Sequence, residues 1–440
     1  MVEKIVEYDT QRRQELQEEA QELTGLKNPN SLAQLKRWLA EQGVEMTSVT
    51  KDTITEALRD PDLPDVVRRV LEIRTALGKT SVAKYSTMLV AHCQDHRLRG
   101  ILQFYGANRS GRWAGRLVQT HNLAKNTLPD LALARELAAE GDFETMGTLF
   151  GETAFVFSEL IRTAFIPSEG CRFVVSDFSA IEARVLAWIA GEEWTLEAFR
   201  QGKDIYCETA SMMYHVPVEK HGANSHLRQK GKVAVLACGY QGGVGAMKRM
   251  DKGGTIPEDE LQSVVDQWRG ANPSVVKLWR NCEMAARTVI EEHRTVRLKN
   301  GIAFGYVNGN LFIKLPSGRK LCYWNTHLKM DPRDGREHIV YMGVNQETKQ
   351  WGETETYGGK LVENITQAIA RDCLAISMQR VAALGYNIVM HVHDEMIVDV
   401  PIEDTDALER INACMGEAIP WAPGLPLRGD GYETPFYMKD

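Results

Sequence analysis

Two apolar runs that end in acid constrain this chain more than any other feature. Residues 172–176 read RFVVS, a short strand that runs into Asp177. Residues 387–400 read NIVMHVHDEMIVDV, two apolar runs around Asp394 and Glu395, which predicts a β-hairpin. A carboxylate bracketed by apolar strands is costly unless its charge is compensated. A polar hairpin tip accounts for the second pair without invoking function. Against that, tight two-residue turns favour Asn-Gly or Gly-X over acids beside His393.

The surrounding pattern predicts an α+β fold. Residues 1–95 show helical spacing of apolar positions in three segments, 14–26, 31–43 and 64–89, with Ser31 as an N-cap signal. Arg68, Arg69, Arg74, Lys79 and Lys84 lie on or just after the third segment. They suit either a helical arm that grips a duplex or an ordinary helical subdomain. After Asp177 the pattern turns helical from Ile181 and stays mostly helical to about residue 295, with a glycine-rich break at 239–245. Residues 296–357 alternate and carry Asn-Gly and Ser-Gly turns, which predicts hairpins. Residues 361–384 return to helix.

Composition excludes several classes. The first twenty residues are acidic and helical in pattern, unlike a secretory signal. No apolar run approaches the roughly 18 residues of a membrane span. The eight cysteines stand singly with no CxxC pair, so a zinc ribbon or redox motif is not expected and the simple reading is reduced, cytoplasmic thiols. Net charge is −7, yet residues 96–129 hold no Asp or Glu while carrying Arg97, Arg99, Arg109, Arg112, Arg116 and Lys125. That stretch reads as a solvated basic loop or as a phosphate-contacting surface.

A cationic helix supplies the second chemical signal. Arg228, Lys232 and Tyr240 are spaced by four and eight residues, near one helical face with Leu236 between them, while Val233, Val235 and Ala237 make the other face apolar. Such a helix suits the charged tail of a nucleoside triphosphate, although basic helical faces are usually only solvated. If the acid-ended strands are neighbours, Asp177 and Asp394 share a pair of Mg²⁺ ions roughly 4 Å apart. Hard oxygen ligands suit that ion.

These segments together resemble family A DNA polymerases, the group of bacterial DNA polymerase I. DFSAIEAR at 177–184 is similar to motif A, RQKGKVAVLACGYQG at 228–242 to motif B, and VHDEMIV at 392–398 to motif C. DIYCETAS at 204–211 resembles the family's fingers segment, and the stretch from Ser110 its primer-gripping segment. All stand in family order and span nearly the whole chain.

The resemblance implies a DNA-templated DNA polymerase with a right-hand fold. It implies a helical thumb at 1–95, palm at 96–190 and 358–440, fingers at 191–295 with a motif B helix at 226–242, and a hairpin-rich insertion at 296–357. Asp177, Asp394 and the backbone oxygen of Phe178 match the ligands of two Mg²⁺ ions, for which Mn²⁺ is a possible substitute. Glu395 matches the neighbouring acid. Arg228 and Lys232 match the triphosphate-binding pair, with Lys232 the acid for the leaving group. Tyr240 matches the guard of the template base, Glu182 the steric gate against a ribose 2′-OH, and Leu236 and Tyr206 further nucleotide contacts. Arg112, Asn122, Gln367 and His393 match residues at the primer terminus or minor groove, where correct base pairs look alike. With Lys79 and Lys84 they make the expected DNA contacts.

Departures point to the phage-encoded branch. Leu236 stands where the family has Phe or Tyr, Tyr206 replaces His, Ala180 replaces Gln and Val235 replaces Asn. The expected partners are primer-template DNA and dNTPs, with exonuclease, clamp or helicase partners left open. The expected location is the cytoplasm of a bacterial cell or a phage-infected host. Because the chain begins within the thumb, no nuclease domain and no proofreading are expected. Glu182 and Glu395 weigh against the rival reading, a single-subunit RNA polymerase. A non-catalytic DNA-binding relative would be expected to have lost a metal aspartate or Lys232.

Overall fold

The computed structural model describes residues 1–78, 82–345 and 348–439. Lys79, one of the expected DNA contacts, lies outside the described residues. The chain forms two compact units: residues 1–103, 115–168 and 434–440 make one, and residues 104–114 and 169–433 the other.

The first unit is helical. Its N-terminal segment holds helices Val2–Thr24, Leu32–Glu41, Lys51–Ala57, Asp65–Leu77 and Ala83–Ala91. The segment read as one helix over 64–89 is thus two, the first capped at Gly78. Ser31 takes the N-cap position of its helix without a side-chain hydrogen bond there. Its two larger apolar cores form around Leu35, Trp38, Leu39 and Leu71 and around Ile5, Tyr85, Phe157 and Leu160. Buried Arg162 ties the second core together, donating to the carbonyls of Leu123 and Ala124 and to the Tyr437 hydroxyl.

The second unit carries two antiparallel sheets and most of the remaining helices. In chain order its main elements are β1 (Cys171–Phe178), α1 (Ile181–Ala190), α2 (Ile205–Tyr214), α3 (Leu227–Cys238) and α4 (Pro273–Glu292). There follow β2 (Val296–Arg297), β3 (Ala303–Val307), β4 (Asn310–Lys314), β5 (Lys320–Asp331), β6 (Arg336–Val344) and β7 (Trp351–Thr356). The chain continues through α5 (Gly358–Ala383), β8 (Asn387–Val392), β9 (Glu395–Pro401) and β10 (Gly429–Thr434).

The four-stranded sheet runs β8-β9-β1-β10 and the six-stranded sheet β2 through β7 in sequence order. One large core joins them through α1, α3, α4 and α5, with Val174, Phe178, Ala234, Leu278, Phe304, Ile369 and Val398 all buried. In β9 every residue but the last is buried, so an apolar run there means burial on both faces. The strand predicted over 172–176 extends through Phe178, and the hairpins expected over 296–357 are β2 to β7.

Candidate functional site

Register brings the two acid-ended strands together. β9 pairs antiparallel with β1, with Glu395 opposite Asp177 and Val398 opposite Val174. The Phe178 amide donates to the Asp394 carbonyl at 3.2 Å, so Asp394 lies beside the end of β1. Only His393 and Asp394 form the turn of the β8–β9 hairpin. Glu395 is therefore not at the tip, where the sequence placed it. It is the first residue of β9 and only 2% exposed.

Backbone conformation sharpens both edges. Ala180, between β1 and α1, has φ +52°, and His393 has φ +56°. A left-handed conformation is uncommon for residues other than glycine, and such backbones cluster where side chains are held for function. The first of these turns starts α1 four residues after Asp177, which places Glu182 in the first helical turn.

Glu182 is a junction. One of its oxygens accepts from the Tyr240 hydroxyl at 2.7 Å. The other lies 3.4 Å from the Arg112 guanidinium. Burial, reinforced by the neighbouring Glu182 charge, pushes the Tyr240 phenol well above its ordinary pKa, so it stays a donor. The structure corrects one expectation here: α3 ends at Cys238, and Tyr240 lies past that end rather than on the helix.

Helix α3 is set by a close approach. A Cβ on Gly231 would stand 2.3 Å from the Tyr206 carbonyl and 3.1 Å from Ala210 Cβ. Glycine, costly within a helix, is what lets α2 and α3 touch. That contact puts Arg228 against Asp204, the N-cap of α2, with guanidinium nitrogens at 2.9 and 2.7 Å from one carboxylate oxygen. Burial alone would raise the Asp204 carboxyl; Arg228 and the amides of Cys207 and Tyr206 outweigh it and hold it below its usual range. The Tyr206 ring lies 5.3 Å beneath the Arg228 guanidinium. Lys232, one turn on, is half-buried and has no ion-pair partner among the described residues.

A cavity of about 380 Å³ joins these parts. Ala180, Glu182, Tyr206, Leu236, Tyr240 and Asp394 all line it. Leu236 is 49% exposed on its wall. The volume lies in the range of sites that enclose small organic ligands.

The expected DNA contacts divide between the units. Arg112, Gln367 and His393 belong to the second unit with the cavity. Gln367 sits half-buried on α5 with its amide 3.4 Å from Glu363. His393 is exposed at the hairpin turn. Asn122 and Lys84 belong to the first unit, where the Lys84 ammonium reaches the Asn122 carbonyl at 3.4 Å. Burial, then the Arg162 charge, lowers the Lys84 pKa.

Three supports of the site were missed in the sequence. Asp204 carried a readable signal, an acid immediately before a helical pattern. Arg184 is buried on α1, donates to the carbonyls of Ser179 and Pro426, and lies over the Phe199 ring. Arg371 lies 4.0 Å over the Trp113 ring, which meets His391 edge-on at 4.6 Å. Neither arginine has a local pattern that announces its partner.

Comparison with known proteins decides the family. The model of DNA polymerase family A matches residues 1–299. The chain belongs to DNA polymerase family A. With that membership comes its enzyme class, a DNA-directed DNA polymerase, and the family's general use of divalent metal. A DNA polymerase of Bacillus phage SP02 is 51% identical over the whole chain, which spans 68% of that relative. A thermostable DNA polymerase I of Thermus aquaticus is 29% identical over 57% of the chain, and the match spans 25% of that enzyme. In fold, the chain is similar over 99% of its length to the polymerase domain of Pol1 from M. smegmatis, solved in complex with DNA primer-template and dNTP. That match has TM-score 0.65 and 18% identity and covers 66% of the solved chain. The phage relative agrees with the branch suggested by the departures in motifs A and B. Among the described residues no helix is long and apolar enough to cross a membrane.

Proposed function

We propose that this family A polymerase extends a primer 3′ end with dNTPs on a DNA template, and that Asp177 and Asp394 hold two Mg²⁺ ions for the reaction. The carrying observation is the single cavity lined by Glu182 of motif A, Leu236 and Tyr240 of motif B and Asp394 of motif C. Asp177 at the end of β1, beside Asp394, offers the hard oxygen donors that Mg²⁺ or Mn²⁺ favours, with the Phe178 carbonyl as a further ligand. Bound there, the two ions acidify the primer hydroxyl and neutralise charge on the triphosphate.

The chain's own residues do the remaining work. The primer 3′-oxygen attacks the α-phosphorus, and the bond to the bridging oxygen of pyrophosphate breaks. Arg228 and Lys232 hold the triphosphate, and Lys232 gives a proton to the departing pyrophosphate. Glu182, held by Tyr240 and Arg112, crowds the position of a ribose 2′-OH. Tyr240 guards the template base, Tyr206 and Leu236 border the incoming nucleotide, and Glu395 supports the acid edge from within the sheet. Arg112, Gln367 and His393 meet the primer-template near the site, and Asn122, Lys84 and Lys79 are further DNA contacts. In this reading residues 1–95 act as thumb and 191–295 as fingers, in the cytoplasm of an infected bacterium.

Primer extension with Mg²⁺ and dNTPs tests the site. Wild-type chain extends the primer, and Asp394→Ala abolishes extension. Extension that survived this substitution would remove Asp394 from the metal site. Glu182→Ala is expected to raise ribonucleotide incorporation by roughly tenfold or more, as loss of a steric contact worth over 1 kcal/mol. Unchanged discrimination would place sugar selection elsewhere.

A further inference from the structure

The six-stranded sheet has a face that lines no part of the cavity at Asp394. Phe304, Leu311, Ile313, Leu321 and Tyr323 point inward and are buried in the core. Alternation turns their neighbours outward. Across β2 to β5, Arg297 stands opposite Ala303, Ala303 opposite Lys314, and Lys314 opposite Lys320. Three cations therefore occupy one row over four strands. Gly305, Phe312 and Cys322 make the next row. Trp324, two residues beyond Cys322 on the same face, is 58% exposed.

A groove of about 610 Å³ covers this face, lined among others by Arg297, Lys314, Lys320, Phe312 and Gly305, and no Asp or Glu lines it. In a chain of net charge −7 that is a local inversion. Like charges directly opposite on neighbouring strands are destabilising, and Lys314 and Lys320 are such a pair. None of the three cations has an ion-pair partner among the described residues. A Cβ built on Gly305 would meet nothing within 4 Å, so the floor of the groove is open.

We propose that this open sheet face binds single-stranded DNA, its phosphates along Arg297, Lys314 and Lys320 and its bases against Phe312 and Trp324. Charge complementarity selects a polyanion. The aromatic rings select one whose base faces are exposed, which a single strand offers and a duplex hides. The proposal rests on the polymerase reading, because template beyond the primer end is single-stranded.

The test uses the full chain and a bromodeoxyuridine-substituted 20-mer single strand. Ultraviolet cross-linking followed by peptide mass spectrometry is expected to find adducts at Phe312 or Trp324. Lys314→Glu/Lys320→Glu should remove those adducts and weaken single-strand binding about tenfold, lowering the salt slope by about 1.4 for two lost phosphate contacts. Gly305→Glu, which fits sterically, should do the same. Extension on a template with a one-nucleotide overhang reports that each variant is folded, and it should stay unchanged. Adducts confined to other peptides, or wild-type affinity in both variants, would overturn the proposal. So would displacement by polyglutamate as effective as by oligonucleotide, which would make the groove a general anion or acidic-protein surface. Asp394→Ala separates the two readings: it should abolish extension yet leave the adducts. Adducts from a wild-type chain that cannot extend primers would sink the polymerase reading and spare this one.

Discussion

The two sheets of the second unit use the same strand chemistry to opposite ends. In the four-stranded sheet β9 is buried from Glu395 to Val400, and β1 from Phe173 to Ser176. Such strands have no free face, so the carboxylates that can reach a ligand sit where the strands end, and Asp177 and Asp394 meet at one such end. In the six-stranded sheet β5 alternates between buried and exposed residues over its first half. That sheet has one face to spare, and its cations spread over it. The contrast teaches where to look for chemistry: at the tips of continuously apolar strands and across the open face of alternating ones.

The comparison breaks most visibly at the strand tip. Asp394→Ala is expected to lower the extension rate on the order of 10⁴-fold, the scale of removing one member of a catalytic set, while circular dichroism stays that of the wild type. A comparable loss from a substitution elsewhere along β9 without unfolding would show that the tip is not special.

Interior positions should differ in stability rather than rate. Ile397→Ala in β9 removes a fully buried side chain and is expected to cost about 2–5 kcal/mol in urea unfolding. Cys322→Ala, on the exposed face of β5, is expected to stay within about 0.5 kcal/mol. Similar costs at both sites would erase the distinction between the sheets.

Acid should act through the buried sheet as well. Burial, then the nearby Arg371 charge, lowers the His391 pKa from 6.5 to about 4. The unfolded chain thus binds a proton that the folded chain refuses between those values. The stability from neutral His391 is complete above pH 6.5 and is lost as pH falls toward 4, by up to about 3 kcal/mol. Urea midpoints measured from pH 7 to pH 4 should fall less steeply in His391→Asn than in wild type. Equal slopes would remove His391 as a cause.

Much of the site was legible because its residues sit in short, rigid contexts. The apolar runs before Asp177 and around Asp394 are strands, and their burial forces the acids outward at the ends. Arg228 and Lys232 lie one turn apart on a helix that does form. What sequence reasoning misplaced depended on backbone detail. The helix carrying Lys232 stops at Cys238, and a two-residue turn takes Asp394 but leaves Glu395 in the strand. The grip of Arg371 on Trp113 joins residues far apart in sequence, and no periodicity encodes it.

The Asp204–Arg228 pair carries a consequence for how any anion can enter. The guanidinium that a phosphate would seek is already spoken for by a carboxylate, and that same carboxylate caps α2. Arrival of a negative ligand at Arg228 is thus a competition with Asp204 for the same guanidinium rather than capture by a free cation. The other Asp204 oxygen keeps the Tyr206 and Cys207 amides, so the start of α2 stays capped while Arg228 changes partner.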